Sequence, residues 1–367
     1  MAIHTIEELK LKQALPLDIK IKMSKARIRA WIEEFGEDGV YVSFSGGKDS
    51  TVLLNLVRED YPEVKGVFVD TGLEYPEIKD FVKTFDNVDI LRPKMTFKQV
   101  IDKYGYPFIS KEVSKTVDRA RKELSKVGSE DLIEAYNIKK SRGEKIYCYS
   151  KILFGEFEHK EKGKLTGEYS KLYNRSKYKF MLNAPFNISA SCCDVMKKGP
   201  IKKYAKETGK VAMTGQMAEE SRLRLSKWLK YGCNAFQAKD PISNPLSFWT
   251  EQDILRYIKE YNVKICSVYG DVVIDYEDDD QFQGQLDFSD FGLYLDNRKL
   301  KTTGCNRTGC MFCGYGCHLE EESRFERMKI THPKIYDYIM RPKEDGGLNY
   351  KAVIDWINSN SDLNIRY

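Results

Sequence analysis

The sequence predicts an α/β protein: a doubly wound, mostly parallel sheet built around a glycine-turn anion loop, with a basic helical insertion and a C-terminal cysteine-rich metal-binding region. Three observations carry this expectation. Short apolar runs alternate with helical spans from residue 40 to residue 91, the pattern of strands buried on both faces and joined by crossover helices. One junction, residues 42–51, reads as strand, glycine turn and helix. Four of the nine cysteines crowd between Cys305 and Cys317, with glycines among them.

Composition bounds the rest. A chain of 367 residues can bury a full core and make one large domain with additions, or two domains. With 60 basic and 55 acidic residues the net charge is only +5, which does not by itself argue for nucleic acid. Residues 1–16 show no basic-then-apolar leader, and no run approaches the ~20 apolar residues of a membrane span. The expectation is a cytoplasmic protein with no membrane partner, able to form a homo-oligomer. Nine cysteines in a long chain without a leader point to a metal or redox centre rather than a disulfide framework.

Taken in order, residues 6–13 and 19–35 carry amphipathic patterns, predicting an N-terminal helical extension over residues 1–37. An α/β domain is expected over residues 38–265. Its first strand runs into Ser45, Gly46, Gly47, Lys48, Asp49 and Ser50, then into a helix. The two glycines allow a sharp turn, and the amides that follow converge at a helix N-terminus, whose dipole favours anions. Lys48 adds a cation, which a plain αβ turn would not need. The next strand, 64–70, ends at Asp70, Thr71 and Gly72, on the carboxyl edge where such sheets gather ligands, although a helix-capping turn explains the same residues. A helix over 76–85 and a strand over 88–91 follow.

Residues 107–188 break the alternation and read as a basic insertion. Between residues 139 and 179 stand twelve Lys or Arg against five Glu, interleaved with Tyr147, Tyr149, Phe154, Phe157, Tyr169, Tyr173 and Tyr178. Either this is an electrostatic and stacking surface for single-stranded nucleic acid or a nucleotide, or it is a solvated helical insertion whose aromatics pack underneath. Ser191, Cys192 and Cys193 open another helix. Residues 211–214 form a strand, and Thr214 and Gly215 begin a loop leading to Arg222 and Arg224. Thr250 with Asp253 is an N-cap pair for a helix reaching Tyr261. Residues 271–290 are acidic, with a run at 277–280, and read as an exposed loop.

A cysteine-rich region is expected over residues 266–367. Cys305, Cys310, Cys313 and Cys317 follow the spacing C-x4-C-x2-C-x3-C, which suits a loop wrapping a metal because glycines let thiolates converge while amides donate to sulfur. Either all four hold structural zinc, or two of them join Cys192 and Cys193 around an iron–sulfur cluster. The chain after residue 329 shows helical periodicity alone.

Ser45-Gly46-Gly47-Lys48-Asp49-Ser50 is not a Walker A sequence; it resembles the PP-loop, S-G-G-x-D-S, of the ATP-pyrophosphatase and phosphoadenosine-phosphosulfate (PAPS) reductase superfamily. Residues 69–77 look like the segment that lines the nucleotide pocket of PAPS reductases. Further on come Cys192-Cys193, Lys197-Lys198-x-Pro200, Thr214-Gly215, Ser221-x-x-Arg224, Asn244-Pro245-Leu246, Trp249-Thr250 and Cys310-x-x-Cys313. That order resembles the adenylyl-sulfate (APS) reductases of the same family.

The resemblance implies an adenine nucleotide, either APS, PAPS or ATP with magnesium, held by residues 45–50, Asp70, Thr71, Gly72, Thr214, Gly215, Arg222 and Arg224. It implies a [4Fe-4S] cluster on Cys192, Cys193, Cys310 and Cys313, and a thiolate that attacks the adenylyl-sulfate sulfur before a thioredoxin-type reductant releases sulfite. Lys48, Lys197, Lys198, Arg222 and Arg224 are its candidate cations. Two features differ from the reductase pattern. No cysteine follows Cys317, where those enzymes keep a C-terminal Glu-Cys-Gly nucleophile, so Cys305 or Cys317, with Lys48, is left to act. The loop is also whole, where reductases usually have a degenerate one, which implies that ATP is split and a substrate adenylated. That second reading resembles tRNA-thiolating and DNA phosphorothioation enzymes, with a sulfur donor protein and nucleic acid as partners. A third is a non-catalytic nucleotide-binding module with a zinc knuckle.

Overall fold

The structure is a computed structural model and describes residues 3–161, 164–275 and 298–367. The acidic run at 277–280, and Lys162 of the basic stretch, lie outside the described residues. The chain divides into two compact units that alternate along the sequence. One comprises Met1–Asp70, Glu74–Arg92 and Pro200–Gly309, the other Thr71–Leu73, Pro93–Gly199 and Cys310–Tyr367. No helix among the described residues is long and apolar enough to cross a membrane.

The first unit holds the expected sheet. Its six strands lie in the order Val88–Leu91, Gly66–Val69, Val40–Ser43, Val211–Met213, Ile242–Ser243, Asn234–Ala235. Every pairing is parallel except the last, between the two shortest strands. Val40, Tyr41 and Val42 are all buried, so this strand is covered on both faces, as its unbroken apolar run requires. The chain leaves this strand first toward one edge and later toward the other, which makes its carboxyl end the switch point where open α/β sheets hold ligands.

Helices supply the cover. Ile6–Gln13 matches the expected span, and Leu17–Phe35 starts two residues earlier than expected, because Pro16 at its cap presets the backbone for a helix start. Leu17–Phe35 buries Ile21, Ile28, Trp31 and Ile32, one stripe at helical spacing. Lys48–Asp60 buries Val52, Leu53, Leu54, Leu56 and Val57.

In the second unit the basic insertion is helical through Lys111–Leu124, Leu132–Ser141 and Cys148–Leu153. It departs from the all-helical expectation in an antiparallel hairpin, Glu158–Glu161 with Lys164–Tyr169. A core of Val117, Ala120, Leu124, Tyr136, Leu153, Met181 and Leu182 holds it together. Phe154 stacks on Tyr136 at 3.5 Å and Tyr178 is buried, whereas Tyr147, Tyr169 and Tyr173 stay exposed. Some of the aromatics thus pack underneath, as a solvated insertion requires, while others face solvent. The helix expected from the cysteine pair begins as Ser191–Cys193, widens into a π turn, Asp194–Lys198, of a kind common at functional positions, and runs on as Gly199–Thr208. A short parallel pair, Phe108–Ile109 with Gly314–Tyr315, holds the late cysteine loop within this unit.

Candidate functional site

The loop of residues 45–50 follows the strand Val40–Ser43 at the switch point, and its backbone is fixed from within. Gly46 has φ +71°, open to glycine at no cost, and a Cβ there would lie 2.8 Å from Ile78 Cγ2 and 2.9 Å from Val82 Cγ2. Gly47 caps the helix Lys48–Asp60 in extended conformation, without a side-chain cap. The Ser45 amide donates to Ser50 Oγ (3.1 Å), the two serine hydroxyls bond each other (3.0 Å), and Ser50 donates to the Gly47 carbonyl (2.9 Å).

Lys48 is 2% exposed. Its Nζ donates to the Asn306 carbonyl (3.1 Å) and pairs with Glu251 (3.1 Å) and Asp49 (3.4 Å), while its amide donates to the Tyr269 hydroxyl (3.2 Å). Tyr269 in turn shares a 2.6 Å hydrogen bond with Thr308. The result is a helix N-terminus with a buried cation and convergent polar groups, the kind of terminus whose dipole favours negative charge.

Of the other expected residues, Gly215 reaches the loop: a Cβ on it would lie 2.8 Å from the Asp49 carbonyl oxygen, so only glycine allows that approach. Thr214 donates to the Asn244 amide oxygen at 2.5 Å. Arg224 pairs with Glu220, which also binds Arg307 at 2.5 Å. Burial, and then the Arg307 guanidinium, pull the Arg224 pKa below the usual arginine range, with Asp49 opposing. Arg222 sits exposed on the first turn of its helix, and no hydrogen bond or ion pair ties it to the loop. Asp70 closes ion pairs with Lys79 (2.8 Å) and Arg92 (3.9 Å). Thr71 and Gly72 belong to the second unit, where Thr71 accepts from the Leu73 amide and Gly72 adopts φ +78°.

Sequence reasoning missed Tyr269, Glu251, Asn306 and Thr308. The only signal was the polar Asn306-Arg307-Thr308 inside the cysteine motif, which a metal loop does not need.

The cysteines divide. Cys305 belongs to the first unit, buried, with its Sγ 3.9 Å from the Tyr75 hydroxyl. Cys192, Cys193, Cys310 and Cys313 all belong to the second, where they share one electrostatic neighbourhood. Burial first, and then Cys193, Cys310 and Cys313, push the Cys192 thiol far above its usual range, with Lys197 opposing. Cys313 is likewise raised by burial, and Arg324 donates to its carbonyl at 2.8 Å. Cys317 is 3% exposed, donates to the Gly314 carbonyl at 3.0 Å, and is pushed up to about 12, chiefly by burial. Lys198 pairs with Asp194 at 2.8 Å. Four thiols suit a thiophilic metal in kind. Among the described residues no three His, Cys, Asp or Glu side chains are gathered as a metal site.

Comparison with known proteins adds three findings. The family model of the phosphoadenosine phosphosulfate reductase domain matches residues 39–137 and 134–314. An uncharacterized protein of Methanocaldococcus jannaschii is 38% identical over 73 residues, a match spanning 18% of this chain and 18% of that relative. The crystal structure of phosphoadenylyl-sulfate reductase from Candida auris, a phosphate complex, is similar at 15% identity and TM-score 0.35, covering 73% of this chain and 92% of that one. The family match takes in the loop of residues 45–50, the cysteine pair and Cys310-x-x-Cys313, well over half of the sequence, and the chain belongs to the PAPS reductase family of the PP-loop superfamily.

Proposed function

We propose that this protein is an ATP-splitting, adenylating member of the family that prepares a substrate for sulfur transfer. The observation that carries this reading is the whole and internally braced loop of residues 45–50 with Lys48 buried in it. In such a reaction an acceptor oxygen attacks the α-phosphorus of magnesium ATP, the bond to pyrophosphate breaks, and amides with a fixed cation stabilise the charge on the departing group. The thiols argue the same way. Direct attack on an adenylyl sulfate needs an accessible thiolate. Cys317 is buried, donating and protonated, and Cys305 is 5% exposed.

The exposed Tyr147, Tyr169 and Tyr173, beside exposed Lys160, Lys164 and Lys171, support a single-stranded nucleic acid as the acceptor. The reductive reading rests on one observation, the grouping of Cys192, Cys193, Cys310 and Cys313. A cluster or zinc ion on those thiols is proposed on donor chemistry alone, and no step is routed through it.

One paired assay tests the choice. Protein with magnesium ATP and single-stranded tRNA or DNA is assayed for pyrophosphate, and protein with adenylyl sulfate and a dithiol for sulfite. Pyrophosphate without sulfite is expected; sulfite without pyrophosphate sinks the adenylating reading.

A further inference from the structure

Tyr269 and Thr308 are brought to the loop without any sequence motif announcing them. Tyr269 is 2% exposed, and its hydroxyl accepts from the Lys48 amide while lying 2.6 Å from Thr308 Oγ1. These two hydroxyls carry two protons and share one hydrogen bond, so one O–H is left over. No other acceptor for it occurs among the hydrogen bonds of the described residues. Both oxygens stand over Gly47: a Cβ on that residue would lie 3.2 Å from the Tyr269 oxygen and 3.3 Å from Thr308 Oγ1. A spare donor beside a helix N-terminus and a buried lysine is well placed for an anionic oxygen.

We propose that the Tyr269–Thr308 hydroxyl pair is part of the anion seat and donates its uncommitted proton to a phosphoryl oxygen held at the loop. The pair is then a binding element for the polyphosphate portion of the nucleotide, one that rests on the nucleotide reading of residues 45–50. It is specific in what it reads: the hydroxyl contributes to any ligand that carries the phosphates and nothing to the nucleoside alone.

The test is calorimetric titration of wild type, Thr308→Val, Tyr269→Phe/Thr308→Val, Thr308→Ser and Lys48→Ala with ATP, with inorganic pyrophosphate and with adenosine. Thr308→Val removes one hydroxyl together with the shared hydrogen bond and leaves the Tyr269 O–H to donate, so it is expected to bind close to wild type, as is Thr308→Ser. The double variant removes both donors and is expected to weaken ATP and pyrophosphate by about three- to tenfold, the worth of one hydrogen bond, while adenosine affinity does not move. Tyr269→Phe/Thr308→Ala, also without either hydroxyl, replaces the double variant if the latter fails to fold. Undiminished binding of ATP and pyrophosphate by the double variant, with Lys48→Ala impaired, overturns the hydroxyl proposal and leaves the nucleotide reading standing. Absence of ATP and pyrophosphate binding in wild type overturns both.

Discussion

Gly46 shows how tightly single residues hold the loop. A side chain there meets a left-handed backbone, which costs about 1 kcal/mol, and two methyl carbons under 3.0 Å away, an overpacking that costs roughly 1–3 kcal/mol more. Gly46→Ala is therefore expected to lose about 2–4 kcal/mol in denaturant unfolding and to lose anion binding with it. Lys48→Ala should weigh the two effects differently. Of its partners, Glu251 is half exposed and can turn to water, while the buried Asp49 Oδ1 loses its cation, so a loss of about 1–3 kcal/mol in stability is expected, while affinity for pyrophosphate falls by more than about tenfold. A Lys48→Ala protein that binds pyrophosphate as wild type does would remove the loop from the site. These residues were legible because their chemistry is local: two glycines, two serines and a lysine within six positions specify both the turn and its charge.

The helix Glu251–Glu260 shows where legibility stops. Its capping box, Thr250 with Asp253, follows from a three-residue spacing and is present. Asp253 has a second task that no spacing discloses. Both of its carboxylate oxygens accept from Lys20 Nζ, at 2.8 and 2.7 Å, across 233 residues of sequence, and Lys20 is 2% exposed. This buried pair fixes the first turn of the helix, which carries the Glu251 that meets Lys48. Lys20→Met would strand a buried carboxylate, and a loss of about 3–5 kcal/mol in chemical denaturation is expected; a loss under about 1 kcal/mol would show the pair to be dispensable. The same distance in sequence hid Tyr269 and Thr308. The hairpin of the insertion was hidden for another reason: the residues of Lys164–Tyr169 are all exposed, so neither face has an apolar set to alternate with a polar one.

On the scale of the whole chain, the sequence suggested consecutive domains, whereas the two units alternate and divide the cysteine motif, Cys305 in one and Cys310, Cys313 and Cys317 in the other. A linear reading sees where composition changes but not which segments return to one core. What it did see, the parallel sheet, makes a pH-dependent prediction for the first unit. Tyr41 lies in the strand Val40–Ser43, 1% exposed and packed edge-on against Tyr204 at 5.3 Å. Burial pushes its phenol up to about 12 from the usual 10. In the unfolded chain the phenol ionises near 10, so between pH 10 and 12 unfolding releases a proton that the folded state retains. The contribution is complete below pH 10 and is lost as pH rises to 12, at about 1.4 kcal/mol per pH unit. Tyr204, raised mainly by burial and by its hydrogen bond to Asp89, acts in the same direction and steepens the fall. Tyr41→Phe keeps the ring and removes the titrating group, so its denaturant midpoint should fall less between pH 9 and pH 11 than that of wild type. Parallel declines in the two proteins would mean that the alkaline limb is set elsewhere, because a buried phenol in a strand covered on both faces cannot ionise without the sheet opening around it.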